Sequence, residues 1–273
     1  MEEEITTVFY LCDELNKAMG IREDPQVKMN NAEVMTTALT ASLFFSGNYE
    51  ESRVFLSEHG YIADMLSKSQ FNRRLLAIPE TVWLALFSIL AELFKQANTD
   101  NEYAMDSFPV PVCDNIRISR SRIYKGEEYR GYIPSKRRYF YGLRIHIVVT
   151  KTGEPVEFIL APGDMNDCRV LKHFDLDLPS ESNIYADKSY NDYNYEDLLK
   201  EAADISLSPL RKKNSKRAIE GWSTFLRKHL RRRVETTASQ INELFPKSIH
   251  AVTSRGFELK LVLFVIAFAI KCL

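Results

Sequence analysis

The period of the apolar residues changes once along this chain, and that change constrains the fold more than any other feature. Up to about residue 97 apolar positions recur every three or four residues, as in ITTVFYLCDELNKAM, AEVMTTALTASLFF and TVWLALFSILAELF, which predicts an all-helical region. A polar stretch, residues 96–102, then gives way to runs with strand character at 103–112, 139–150 and 155–161. Thr152 and Gly153 form the expected hairpin turn between the last two. Beyond them helix and strand signals alternate: a short helix at 167–174, a strand at 183–186, a helix at 193–203, a strand at 205–210 and a long helical region over 216–244. We therefore expect a helical domain over 1–98 and an α/β domain over 102–273.

The order β-β-β-α-β-α-β-α in the second domain is that of a ribonuclease H-like fold of the retroviral integrase type, a mixed five-stranded sheet with flanking helices. Three antiparallel strands followed by a right-handed crossover place the fourth strand beside the first, where strand order reverses and ligand sites concentrate. Asp106 interrupts the first of these strands and Asp187 ends the fourth. Glu235 lies in the following helical run RRRVETTASQINELF.

Aspartate is poorly suited to the middle of an apolar strand. Asp187 read alone is equally a partner for Lys188 or a turn cap. Glu235, with Arg231 four and Arg232 three positions before it, is equally a surface pairing residue. Together the three sit where a fold of this order would gather them, and clustered carboxylates call for a cation to offset their repulsion. Mg2+ takes oxygen ligands and keeps several waters, so two or three carboxylates plus phosphate oxygens suit it. Two ions about 4 Å apart would serve the attacking and leaving oxygens of a phosphodiester. Asp106, Asp187 and Glu235 are thus the candidate catalytic and metal-binding residues, with two Mg2+ ions expected and Mn2+ as a substitute.

The formal charge of -1 conceals an asymmetry: residues 1–100 carry 15 acids and 8 bases, the remainder 22 acids and 28 bases. Local positive potential, not overall pI, is what a nucleic-acid surface needs. Between 211 and 233 ten bases face a single acid, Glu220. Arg211, Lys212, Lys213, Lys216 and Arg217 precede the glutamate helix, and Lys228, Arg231 and Arg232 lie on it. All are candidate contacts to a phosphate backbone. A second basic region, 125–141, interleaves Arg130, Lys136, Arg137 and Arg138 with Tyr129, Tyr132, Tyr139 and Tyr141. Those aromatics would stack on exposed bases or brace a hairpin. In the first domain YIADMLSKSQFNRRLLAI suggests two short helices with a turn near 67–69, the second bearing Arg73 and Arg74. It reads either as the recognition helix of a helix-turn-helix or as a solvated amphipathic helix.

Other chemistries lack their residues. Gly126 and Gly131 have P-loop spacing, but Tyr132 and Ile133 stand where Lys and Ser or Thr are required. There is no GxSxG elbow and no HExxH. His146 in LRIHIVV reads as a packed or hydrogen-bonded sheet residue, and Asp114, Asp164 and Asp167 as turn or cap residues. Cys12, Cys113, Cys168 and Cys272 form no CxxC pair, which points to a reducing, cytoplasmic setting. Glu2, Glu3 and Glu4 oppose the charge of a secretory leader. The apolar run 261–270 is too short to span a bilayer and reads as a buried helix, so no membrane partner is expected.

The strings MDSFPVPVCDN, RGYIPSKRRYFYGLRIH, YADKSYND, PLRKKNSKR, RRRVETTASQI and FPKSIHAVTSRGFELK resemble, in order, the bacterial DDE transposases of the insertion sequence 982 family. The resemblance runs from about residue 60 to the C-terminus, and by it Asp106, Asp187 and Glu235 correspond to the metal-binding triad. The tyrosine and lysine that some related groups place around the glutamate are absent, since Lys228 and Asn242 occupy those offsets; Arg231 alone fits that wider signature. The resemblance implies cleavage at element ends by metal-dependent hydrolysis and joining of the freed 3′-hydroxyl to target DNA. It also implies terminal inverted repeats and target DNA as partners, a homodimer or larger assembly, and action in the bacterial cytoplasm at the nucleoid. A structure-selective nuclease and a catalytically silent DNA-binding descendant are the alternatives.

Overall fold

The computed structural model describes residues 1–114, 121, 123–133, 137–211, 215–217 and 221–273; for 221–224, 226, 230 and 231 the description is of the backbone alone. The chain divides into two compact units, one formed by 1–90 with 241–273 and the other by 91–240.

The first unit is helical, with α1 (Glu2–Ala18), α2 (Asn31–Phe44), α3 (Tyr49–Glu58), α4 (Lys68–Ala77), the first part of α5 (Glu80–Ala97) and α9 (Ser254–Lys271). Its centre is α2 against α9. Both helices are apolar around their whole circumference, and the run Leu261–Ile270 is buried throughout, as expected of an all-round apolar helix. A capping box starts α2: Asn30 accepts from the Glu33 backbone N–H, and Glu33 accepts from that of Asn30. After α2 the chain turns at Gly47, whose φ of 75° and distance of 2.8 Å from a would-be Cβ to the Phe264 ring leave room for no side chain. Among the described residues no single helix is long and apolar enough to cross a membrane.

The first of the two short helices expected in 61–78 does not form. Gly60, at φ 72°, ends α3, and the N–H groups of Tyr61 and Ile62 both return to the Leu56 carbonyl. Ile62 and Leu66 then anchor residues 59–67 in the core as a connection rather than a helix. That connection is longer than the turn of roughly three or four residues that joins a helix-turn-helix.

The second unit holds one mixed sheet of six strands: β1 (Glu102–Asp114), β2 (Arg130–Ile133), β3 (Arg138–Thr150), β4 (Pro155–Pro162), β5 (Asn183–Ala186) and β6 (Ser206–Pro209). The order is β2-β3-β1-β5-β6, and β4 also pairs with β3, sharing that side of the strand with β2. β1 is antiparallel to β3 and parallel to β5, which is parallel to β6. The five expected strands are all present, and β2 corrects the count to six. It is only four residues long, with alternating exposed and buried positions, inside a run whose charge and tyrosines mask that period. Helices α6 (Asp167–Leu171), α7 (Tyr193–Ala203) and α8 (Gly221–Leu244) flank the sheet. Mixed α/β, with a sheet of this order and flanking helices, the unit is consistent with a ribonuclease H-like fold.

Two sequence details shape β1. Beyond Met105 it pairs with β3 alone among the described residues, so Pro109 and Pro111 remove no ladder donor on the β5 side. The register shifts between Pro111 and Cys113, opposite Gly142, where an added Cβ would stand 2.4 Å from the Val110 carbonyl oxygen.

Candidate active site

Asp106 lies on β1, and Asp187 directly follows the end of β5. The parallel ladder runs through Met105↔Ala186, and Asp187 continues the extended path with φ -71° and ψ 165°. One step beyond that last pair, the same register would bring Asp106 opposite Asp187, on one face of the sheet and at the usual interstrand spacing of about 4.8 Å. Both residues are half-buried. The Ser107 N–H donates to Asp106 Oδ1 at 2.8 Å, orienting one carboxylate from its own backbone. Two carboxylates at this spacing repel each other unless a cation or proton lies between them.

Helix α8 is placed on this unit by two contacts. Thr237 Oγ1 donates to the Gly153 carbonyl at the β3–β4 turn, 2.8 Å, and Arg227 Nη1 donates to the Pro209 carbonyl at the end of β6, 3.2 Å. The Arg227 guanidinium also acts on the Tyr185 hydroxyl, and Tyr185 lies on the Asp106 face by strand alternation. Val234, Thr237, Ile241 and Leu244 form the buried stripe of α8 among the described residues. Glu235, off that stripe, is exposed. Among the described residues no three His, Cys, Asp or Glu side chains stand close enough to hold a metal ion together. Asp106 and Asp187 thus follow the last paired residues of two adjacent parallel strands, and Glu235 lies on α8; among the described residues the three form no common cluster. The donor set of the pair suits Mg2+, which protein sites hold through one or two carboxylates with phosphate oxygens and water completing the shell.

The expected DNA-contacting cations fall into distinct environments. Arg74 is internal to the first unit: its Nη2 donates to Glu23 Oε1 at 2.7 Å, to the Met29 carbonyl and to Asn31 Oδ1. Neighbouring Arg73 is exposed and lines, with Lys28 and Gln70, an open groove of about 450 Å³. In the second unit Arg211 is largely covered, its guanidinium held by both oxygens of the buried Glu196 at 2.7 and 2.6 Å. Arg217 joins them at 3.2 Å and also pairs with Asp197, and both arginines lie over the Tyr193 ring. Sequence gave no sign of this sink, because Glu196 and Asp197 sit on α7, outside the basic stretch. Lys216, Lys228 and Arg232 are exposed, as are Arg130, Arg137 and Arg138. On the β2–β3 hairpin Tyr132 and Tyr139 pair at 4.8 Å and remain exposed, with Arg130 over the Tyr139 ring. Lys136, Lys212 and Lys213 lie outside the described residues, as does the side chain of Arg231.

A mixed sheet with flanking helices is the architecture expected of a domain that processes nucleic acid, and the family match below gives it that class. Residues 96–250, more than half of the chain, match the family model described as a transposase DDE domain. The chain belongs to the DDE transposase family. No curated protein and no solved structure gives a significant match. Membership carries a transposase-type function, with DNA as the partner and divalent metal ions as the cofactor class.

Proposed function

We propose that the protein is a bacterial transposase of the insertion sequence 982 type that cuts the ends of its element and joins them to target DNA. What supports this reading is the parallel β1–β5 ladder ending at Met105↔Ala186, which leaves Asp106 and Asp187 as the next residues of adjacent strands within the matched domain. These two carboxylates would hold Mg2+ or Mn2+, and Glu235 on α8 would complete the ligand set. Bound divalent metal supplies Lewis-acid stabilisation of the phosphoryl oxygens and a more acidic water.

The chemistry asks little else of the protein. Water adds to phosphorus as the 3′-oxygen leaves, giving a 3′-hydroxyl and a 5′-phosphate. That hydroxyl then attacks a target phosphodiester in line, displacing its 3′-oxygen, so one bond forms for each that breaks. The side chains position the strands: exposed Lys216, Lys228 and Arg232, with Arg130, Arg137 and Arg138 on the hairpin, would hold phosphates through charge-assisted contacts. Two element ends must be handled together, so the working form is a homodimer or larger assembly on DNA at the nucleoid.

Incubating the protein with Mn2+, a duplex carrying the inverted repeat that flanks its gene, and a target plasmid should yield covalently joined products. Asp187→Asn should abolish cleavage and joining while retaining duplex binding in a gel-shift assay. Cutting without joining would reassign the protein as a nuclease, and cleavage surviving Asp187→Asn would overturn the site.

A further inference from the structure

On the opposite face of the same sheet lies a buried polar cluster that the acid pair does not itself require. His146 stands across from Ser107 in the β1–β3 ladder and is fully buried. Its Nδ1 is 2.9 Å from the hydroxyl of Tyr190, also fully buried. Ser107 hydrogen-bonds the same hydroxyl, and its Oγ makes a long 3.5 Å contact to Asp167 Oδ1. Asp167 Oδ1 lies 3.9 Å from His146 Nδ1, while His146 Nε2 is buried with no partner among the described residues. Polar groups sequestered beneath a sheet cost stability unless they bond to one another, and one nitrogen here remains unsatisfied.

The attachments of this cluster suggest what offsets that cost. Ser107 directly follows Asp106. Tyr190 is the third residue after Asp187, in the single helical turn Lys188–Tyr190 that begins where β5 stops. The last bond from β6 to β5 is Leu210 N–H to the Ala186 carbonyl, one residue short of Asp187. From there the segment turns, the Tyr190 N–H donating to the Asp187 carbonyl at 3.1 Å, and Asn191 Nδ2 donates back to the Leu210 carbonyl at 2.8 Å. From α6, Cys168 Sγ donates to the carbonyls of Ser189 and Asn191 on either side of Tyr190. The backbone carrying one acid is thus tied through a side chain to the residue next to the other.

We propose that the Tyr190 hydroxyl, held by His146 and Ser107, is a positioning device that keeps the Asp187 carboxylate in register with Asp106 for divalent-cation binding. The inference rests on the two-acid reading of the site. Groups that orient metal ligands from behind typically change metal affinity by about 10- to 100-fold when removed. Tyr190→Phe keeps the ring and its packing and deletes only the hydroxyl.

The test is Mn2+ titration by calorimetry on the full chain without DNA, alongside cleavage kinetics. Tyr190→Phe should weaken Mn2+ binding about tenfold. It should also lower kcat at limiting Mn2+, recover at saturating Mn2+, and leave KM for the DNA unchanged. A residue that only supports the fold would lower Tm and leave Mn2+ affinity alone. Unaltered affinity in Tyr190→Phe, with binding lost in Asp187→Asn, overturns the positioning role and spares the site. Wild-type affinity in Asp187→Asn overturns the site and this inference together. If Tyr190→Phe does not fold, Ser107→Ala removes the second partner of the hydroxyl; weaker Mn2+ binding there supports the role, and unchanged binding overturns it.

Discussion

The first unit buries α2 and α9 as two apolar helices, and the polar groups it takes inside are mainly hydroxyls that return to their own helix, as Thr36 does to the Ala32 carbonyl and Ser42 to that of Ala38. The second unit buries groups with chemistry: His146 and Tyr190 behind the sheet, and the Arg211–Glu196 pair beside α7. In the α2–α9 contact of the first, stability derives from dispersion and removal of apolar surface, which are indifferent to pH. In the second, part of it depends on protonation states and on complete hydrogen bonding. The difference teaches that the buried ionisable groups of the polar set, His146 and Glu196, lie in the second unit, while the first takes in chiefly hydroxyls.

The comparison is tested most severely at Phe264. Its ring is fully buried, packs on Phe245 at a centroid distance of 4.8 Å and fills the space that Gly47 leaves open. Phe264→Ala should cost about 3–5 kcal/mol, the usual range for a buried phenylalanine truncated to a cavity. The loss should appear in denaturant melts at pH 5.5 and pH 7 alike. A loss that varied strongly between these pH values would show that the α2–α9 contact is not the pH-indifferent one described above.

How far the sequence disclosed this arrangement depended on what each residue's pattern encodes. β1, β3, β4, β5 and β6 were legible because their alternation or apolar length is sustained, and chain topology alone sufficed to set β5 beside β1. The rotation of α8 was not legible, since Glu235 is one of several polar positions on a helix whose buried stripe, among the described residues, is Val234, Thr237, Ile241 and Leu244. Nor was the return of α9 to the first unit: a helix apolar on every side carries no directional information about its partner. His146 was read correctly as a hydrogen-bonded sheet residue, yet its link to Tyr190 required the turn after β5, which leaves no periodic trace.

A smaller effect sharpens the contrast from the second unit. Burial and the nearby Arg144 guanidinium push the His146 imidazole down to about 3 from its ordinary 6.5, so it stays neutral in the folded protein. Asp167, at 3.9 Å, does not offset them. Because the folded value is depressed, this group's contribution is fully present above pH 6.5 and is lost progressively as pH falls toward 3, where the unfolded chain takes up the proton first. At pH 5.5 the loss through this one group is about 1.4 kcal/mol. Wild-type protein should therefore lose about that much more stability between pH 7.5 and 5.5 than His146→Gln. In hydrogen-exchange mass spectrometry the acid-induced opening should fall on β1 and β3 and not on α2 or α9. Equal acid sensitivity in the two proteins would place the pH response elsewhere.

The least of these effects belongs to the start of α2, where a local device rather than a core decides the outcome. Asn30 accepts from the Glu33 N–H at 2.8 Å, while the Glu33 carboxylate accepts from the Asn30 N–H at 2.8 Å. Asn30→Ala removes one acceptor at a helix N-terminus and should cost about 1 kcal/mol. The Glu33 half of the box survives, and the apolar face of α2 is untouched, so the helix should fray by a turn and not dissociate. Amide exchange should rise at residues 31–34 alone, with Mn2+ affinity and joining activity as in the wild type. Faster exchange spreading along α2 to Leu43 would mean that the cap, and not packing against α9, governs the helix, and the purely apolar account of the first unit would fail at its centre.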